Sequence, residues 1–321
     1  MPINVSALSA AIKNNIQKVI VGKDDTIDLL LVCLFSRGHM LLEDVPGTGK
    51  TMLVKALAAS VACNSKRIQF TPDLLPSDIT GIRYFNMKSA EFEFVAGPVF
   101  TNILLADEIN RATPKTQAGL LECMEEHQAT IDGTTYPLAD PFMVIATQNP
   151  IENLGVFPLP EAELDRFLVK TSMSYPTKEE SVAILERFGC EDPLSTLKPV
   201  ADINAVNAAI AQIPQTYIHR DLVMYIAEII EATRSADSVE LGASPRGAIA
   251  LQKAAKAFAA MDNRDYVIPD DIKRAAVPVL AHRLVLTSSA RIRRGSDERV
   301  IEDILRTVSV PTEPQIFWSK R

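Results

Sequence analysis

The sequence lacks any closely spaced pair of cysteines. Its four, Cys33, Cys63, Cys123 and Cys190, lie far apart in 321 residues. That excludes a zinc knuckle and offers no disulfide framework, so a reducing compartment, the cytoplasm, is expected. The four histidines, His39, His127, His219 and His282, show no ligand spacing, and structural roles are expected for them. No apolar run is long. The longest, Leu29 to Phe35, is far too short to cross a bilayer, and no basic segment followed by an apolar stretch marks a signal peptide at the amino terminus. Positive charge is in deficit as well: 33 Lys and Arg against 40 Asp and Glu give a net charge of −7. A dedicated nucleic-acid binder would carry a basic face, so that class is disfavoured; the one basic cluster, Arg291, Arg293 and Arg294, reads as a solvated helix end. Fixed-period repeats and low-complexity segments are missing too. What is present is a chain that is 47% hydrophobic and long enough for two domains with proper cores.

From Ser6 to Phe35 apolar residues recur at helical spacing, interrupted at Val21-Gly22. Strands and helices then alternate. "HMLLE" (39–43), "RIQFT" (67–71), "NILLA" (102–106), "FMVIAT" (142–147) and "FLVKTSM" (167–173) read as buried strands. Met52, Leu53, Ala56, Leu57 and Val61 form one helical face, and Thr113-Pro114 reads as a hydroxyl cap followed by proline at the first helical position. Short apolar strands separated by helices predict a largely parallel sheet covered on both faces. Past Tyr175-Pro176 strand signals stop, and helices are expected over Lys178–Phe188, Arg220–Ala232, Ser244–Met261 and Pro269–Leu284. The reading is an α/β core over residues 1–176 and an all-helical second domain over 177–321. Within the core, Asp132-Gly133 is a two-residue hairpin signal, and a second hairpin over Ile79–Val95 would turn around Met87–Ala90.

The strongest chemical signal is "LLEDVPGTGKT", Leu41 to Thr51. A strand, then a glycine-containing loop ending in Gly49-Lys50-Thr51, then a helix is the geometry that holds a polyphosphate: backbone N–H groups point inward and the helix dipole favours negative charge. Val45, Pro46, Gly47, Thr48, Gly49 and Met52 complete the cradle. Lys50 would reach the β- and γ-phosphates, and Thr51 would ligate magnesium. Asp44 stands where the motif expects glycine and must point away from the phosphates. The second element, "NILLADE", places Asp107 and Glu108 at the carboxyl end of a strand beside that loop. Asp107 suits the magnesium shell and Glu108 suits orienting and deprotonating water. No guanine-specifying Asn-Lys-x-Asp occurs, which leans toward adenine.

"DEINRATPKTQAGLLECMEE" (107–126), "PLPEAELDRF" (158–167) and "ASPRG" (243–247) together resemble the MoxR family of AAA+ ATPases, and the similarity covers nearly the whole chain. The resemblance implies a five-stranded parallel sheet of order 5-1-4-3-2 with a helical lid, ATP and Mg2+ as ligands, and a homo-oligomeric ring, usually hexameric. It further implies a chaperone-like action on client protein complexes, often with a von Willebrand A domain protein as partner. Through it, Asn149 matches a first sensor of the γ-phosphate; spacing alone favours an Asn-Pro turn residue. Arg166 matches an arginine finger acting in a neighbouring subunit; alone it reads as a surface ion pair with Asp165 or Glu163. Arg246 matches a second sensor that couples the lid to the γ-phosphate, and otherwise a solvent-facing arginine at a helix start. Val21 and Gly22 match an adenine contact, and otherwise a helix break. Arg111 is a further interface candidate.

In the resembling family, inserts at Ile79–Val95 and Gln128–Leu138 project toward the ring's pore or one face. The aromatics Tyr84, Phe85, Phe92 and Phe94 serve a packed ribbon as well as a pore contact. Two other uses of the same core stay open: the motor subunit of a metal chelatase, and a nucleotide-switched scaffold that hydrolyses little. The paired Glu108 and Arg166 speak against the scaffold. Client specificity is expected to come from loops or a partner.

Overall fold

The computed structural model describes residues 3–43, 45, 47–150, 155–189, 192–294 and 296–311. Asp44, Pro46 and Cys190, singled out from the sequence, lie outside the described residues, as do the side chains of Arg293 and Arg294.

Five parallel strands form the central sheet: β1 (Met40–Glu43), β2 (Ser65–Gln69), β3 (Ile103–Asp107), β4 (Met143–Gln148) and β5 (Val169–Thr171). They lie in the order β2-β3-β4-β1-β5, the arrangement expected above. Alternation along the strands sends side chains to opposite faces. Met40, Leu42, Ile103, Leu105, Met143 and Ile145 join one buried cluster. Leu41, Leu104, Ala106, Val144 and Ala146 join another, with Leu120, Leu121 and Met124 of the helix Pro114–Glu126. Burial on both faces is what makes β1, β3 and β4 read as continuous apolar runs.

β2 departs from the expected buried strand. It starts two residues earlier, at Ser65, and only Ile68 along it is buried. The cause is its position at the sheet edge, where it pairs with β3 alone. Thr113 also departs, since its hydroxyl faces the Thr116 hydroxyl at 3.2 Å and caps no backbone N–H.

The amino-terminal segment forms two helices, Val5–Ile16 and Asp24–Phe35, with the break falling where Gly22 takes φ +67°. Every residue from Leu29 to Phe35 is buried, as expected of a helix covered all round. These two helices pack between the sheet and the later helices Ile203–Gln212 and Pro245–Met261. Residues past Pro176 include the expected helices, Lys178–Phe188, Arg220–Ser235, Pro245–Met261 and Pro269–Leu280, together with Ile203–Gln212 and Asp297–Thr307. In one place this half departs from the all-helical expectation: Val239–Leu241 and Val285–Leu286 pair as a short antiparallel ribbon. The sheet ends at Thr171, yet the first apolar cluster runs on without a gap into Leu222, Tyr225, Leu251 and Phe258. The boundary at Pro176 is retained as a proposal. No helix among the described residues is long and apolar enough to cross a membrane.

Both hairpins form. Gln128–Ile131 pairs with Thr134–Pro137 around Asp132 (φ +48°) and Gly133 (φ +76°), the left-handed pair that a tight two-residue turn requires. Gly81–Asn86 pairs with Glu91–Ala96, and Ile82, Phe85, Met87 and Phe92 along it are exposed. The two ribbons touch, because Phe94 stacks on Tyr136 with ring centroids 4.3 Å apart.

His39 opens β1 and is held as a neutral ring. Its Nδ1 accepts from the Val144 N–H (3.0 Å), so Nε2 donates to the Met124 carbonyl (3.1 Å). Burial moves its pKa from 6.5 down to about 4, and burial lowers His282 as well. An unfolded chain therefore takes up protons on these rings below pH 6.5 while the folded chain does not. Stability is expected to be full above that pH and to fall as pH drops toward 4. Urea midpoints at pH 7 and pH 5 should differ, and His39→Asn should shrink the difference; an equal difference in both proteins would refute it.

Candidate active site

β1 runs into the loop that ends at Gly49, and the helix Lys50–Ser60 follows directly. Gly47 (φ +87°) and Gly49 (φ +94°) are both left-handed, and nothing lies within 4 Å of where a Cβ at Gly47 would stand. Glycine at position 47 is thus demanded by backbone conformation and not by space. Gly49 caps the helix without a side chain, so the first helical N–H groups stay available to an anion. The Lys50 ammonium donates to the Val45 carbonyl of the same loop at 3.0 Å.

Beside the loop lies a cleft of about 400 Å3 over the carboxyl ends of the strands. It gathers Gly47, Thr48, Gly49, Lys50, Thr51 and Met52 with Asp107, Glu108 and Asn149. Four further residues line it that were not foreseen: Arg67, Gln69, Thr147 and Gln148. Thr147 donates its hydroxyl to Asp107 Oδ1 (2.6 Å) and accepts the Glu108 N–H (2.9 Å). Arg67 pairs with Asp107 Oδ2 at 2.6 Å. Glu108 takes a left-handed backbone (φ +57°, ψ +49°), uncommon for a residue with a Cβ. This turns its carboxylate toward Gln69 (2.6 Å) and Arg111 (3.1 Å). The interface candidate Arg111 thus contacts Glu108 of its own chain. Arg67 and Gln69 had one signal in the sequence: polar residues two apart, on one face of a strand that pairs with the Asp107 strand.

The remaining candidates lie elsewhere. Val21 and Gly22 do not line this cleft; Gly22 faces Glu180, whose side chain would clash with a Cβ there. Arg166 and Arg246 meet near the opposite end of the sheet, beside Ser36–His39 at the start of β1, around a pocket of about 220 Å3 that Arg37 and Lys253 also line. Both guanidinium groups grip one carboxylate: Arg166 reaches Glu125 Oε2 at 3.2 Å, and Arg246 reaches Glu125 Oε1 at 2.6 Å. Neither ion pair foreseen for Arg166, with Asp165 or Glu163, carries this contact. Arg246, expected to couple the lid to the γ-phosphate, does not line the Lys50 cleft of its own chain. The helix it opens packs on the amino-terminal helices, and its cap residue Ser244 is bonded to Asp165, so Arg246 is held beside Arg166 and away from Lys50. A larger cavity, about 670 Å3, lies between Leu29, Lys170, Phe258 and Asp297 and contains none of the candidate residues.

The strand–loop–helix cradle and the acid pair at the end of the adjoining strand define the class: a phosphate-loop ATPase fold with a lid. Residues 39–169 match the model of the "ATPase family associated with various cellular activities (AAA)", and residues 231–304 match that of the AAA lid domain. Chaperone MoxR1 of Mycobacterium tuberculosis (strain ATCC 25618 / H37Rv) is 43% identical over 306 residues, covering 92% of this chain and 80% of that protein. YeaC of Bacillus subtilis (strain 168) is 50% identical over 299 residues, 93% of each chain. A crystal structure from Cytophaga hutchinsonii ATCC 33406 superposes with a TM-score of 0.90 at 41% identity, covering 96% of each chain. The chain belongs to the MoxR family of AAA+ ATPases.

Proposed function

We propose that the protein binds ATP in the Lys50 cleft, hydrolyses it with help from a second copy of itself, and uses the cycle to remodel client protein complexes in the cytoplasm. One observation carries the shared-site part: Arg166 and Arg246 converge on a single anion, the Glu125 carboxylate, at a place remote from the Lys50 cleft of their own chain. Two guanidinium groups on one anion match the demands of a phosphoryl group in transfer. A closed ring, hexameric as the family resemblance implies, lets every subunit lend this pair to its neighbour.

Within the cleft, the loop N–H groups and Lys50 bind and orient the polyphosphate. The Thr51 hydroxyl and the Asp107 carboxylate are hard oxygen donors on one cleft, a set that fits Mg2+. When bound, the ion would neutralise charge developing on the phosphate oxygens. Arg67, paired with Asp107 Oδ2 at 2.6 Å, would help to orient that carboxylate. Glu108 would accept the proton of the attacking water, and Gln69 and Arg111 set where that carboxylate points. Asn149, at the end of β4, would position the water or sense the γ-phosphate. Val21 and Gly22 retain the adenine contact only as an expectation of the resemblance. The chaperone reading leans on the name of the Mycobacterium tuberculosis relative and on the exposed apolar hairpin residues. A client complex and a von Willebrand A domain partner are part of the proposal.

If sites are shared, turnover per subunit falls as the assembly is diluted apart. Steady-state hydrolysis measured alongside light scattering checks this. Turnover that stays flat down to a demonstrated monomer would sink the shared-site reading.

A further inference from the structure

We propose that Asp165 is the positioning residue that fixes Arg166 and Arg246 as one rigid pair; this rests on the shared-site reading above. Asp165 precedes Arg166 in the chain and does not line the Lys50 cleft. Its carboxylate is divided between two partners from the second half of the chain. Oδ1 accepts from Arg283 Nε at 2.6 Å, and Oδ2 accepts from the Ser244 hydroxyl at 2.9 Å.

Each partner governs one arginine. The Arg283 side chain is 3% exposed, and beyond the carboxylate it donates to the Asp165 carbonyl (3.1 Å), the Phe167 carbonyl (2.7 Å) and the Val279 carbonyl. It therefore clamps the backbone on both sides of Arg166. Arg166 needs the clamp, since its Nε is buried with no hydrogen-bond partner among the described residues and Glu125 grips only the guanidinium tip. Ser244 caps the helix Pro245–Met261, its hydroxyl taking the Gly247 N–H, and Arg246 lies in that first turn. The turn also presses directly on the clamp: a Cβ on Gly247 would stand 3.2 Å from Arg283 Cδ.

Burial disfavours the charge on Arg283, and the Asp165 carboxylate opposes that effect. A buried charge pair is weak evidence for stability, because desolvation offsets much of the attraction. What this pair supplies is direction: both arginines are tied through one carboxylate, so their separation and aim are set together. A misplacement of about 1 Å in a reacting geometry costs about a hundredfold in rate.

The test compares mixed oligomers. The reference mixes Arg166→Ala subunits, which keep the cleft, with Lys50→Ala subunits, which keep the arginine pair. The second mixture replaces the latter with the Lys50→Ala, Asp165→Asn double variant. Asn keeps the size and can still accept from Ser244 but loses the charge that orients Arg283. The expected result is recovered turnover in the reference and a kcat about ten- to a hundredfold lower in the second, with KM for ATP within twofold and assembly intact. A purely structural role would instead lower the melting temperature and assembly without this kcat-only signature. Equal kcat in the two mixtures overturns the proposal. No recovery in the reference overturns the shared-site reading, and the proposal with it. Should Asp165→Asn fail to fold, Ser244→Ala in the arginine donor decides, because it cuts the carboxylate's other link, the one toward Arg246, and leaves the ion pair with Arg283. An unchanged kcat there overturns the proposal, and a severalfold fall at constant KM upholds it.

Discussion

Arg166→Ala and Lys50→Ala subunits, each close to inactive alone, are expected to regain part of the parent ATPase activity when mixed. The reasoning starts from position. The cradle sits at the carboxyl ends of the strands, and the arginine pair sits beside the start of β1. On the shared-site proposal, Arg166 cannot serve the cleft of its own chain, because the two line pockets at opposite ends of the sheet. Arg166→Ala leaves the cradle whole, so ATP still binds; it removes a contact to charge that develops in the transition state, so the rate falls. Arginine fingers supply roughly a thousandfold or more, so the loss and the recovery are both large signals. In a mixed ring, interfaces that pair an intact cradle with an intact finger are complete. The expected activity follows the fraction of such interfaces as the mixing ratio is varied. Mixed rings shown to form but lacking recovery would count against sites built from two subunits.

The second large effect separates binding from chemistry within one cleft. Lys50→Ala is expected to weaken ATP affinity by on the order of a hundredfold, since a charge-assisted contact to phosphate contributes about 1.5–3 kcal/mol. Glu108→Gln should leave affinity within about twofold of the parent and cut turnover by roughly 10²–10⁴, the range for a positioned general base. Gln keeps the length and one carbonyl acceptor, so its effect reads out proton acceptance. Equilibrium titration with a fluorescent ATP analogue, set beside steady-state phosphate release, distinguishes the two variants. Equal affinity in Lys50→Ala and the parent would remove the cradle assignment; normal turnover in Glu108→Gln would remove the base. The Glu108→Gln form, held with ATP, is also the natural bait for bound clients.

The fold was legible because it rests on local signals that agree. Apolar runs of strand length, the glycine-lysine-threonine loop and the Asp-Gly turn each specify a backbone shape without help from distant residues. Edge position was not legible: along Ser65–Gln69 only Ile68 is buried, and nothing within five residues says how many neighbours a strand will have. For the same reason Arg67 and Gln69 escaped notice, since a residue on β2 meets Asp107 and Glu108 only through sheet order. Thr147 was hidden inside an apolar strand whose last turn of alternation points it at Asp107. Arg246 was readable as a lid arginine but not by location. Its place depends on how the helix Pro245–Met261 lies against the amino-terminal helices, a long-range packing outcome. Asp165 looked like a partner for Arg166 and proved to be a partner for Arg283, 118 residues away.

The two amino-terminal helices have a practical consequence. The matched AAA segment starts at residue 39, which invites trimming the chain to that point. The helices before it are nonetheless the filling between two slabs: Ile12, Ile16, Leu30 and Leu34 belong to the same apolar cluster as Leu53, Ile145 and Leu251. A trimmed fragment would uncover the underside of the sheet and the facing side of the later helices at once, each an open greasy surface in search of a mate. Such a fragment should precipitate or be digested, even though its nucleotide loop is whole. By the same token, the sheet and the later helices should melt in a single step, with the amino-terminal helices as the seam that makes them one.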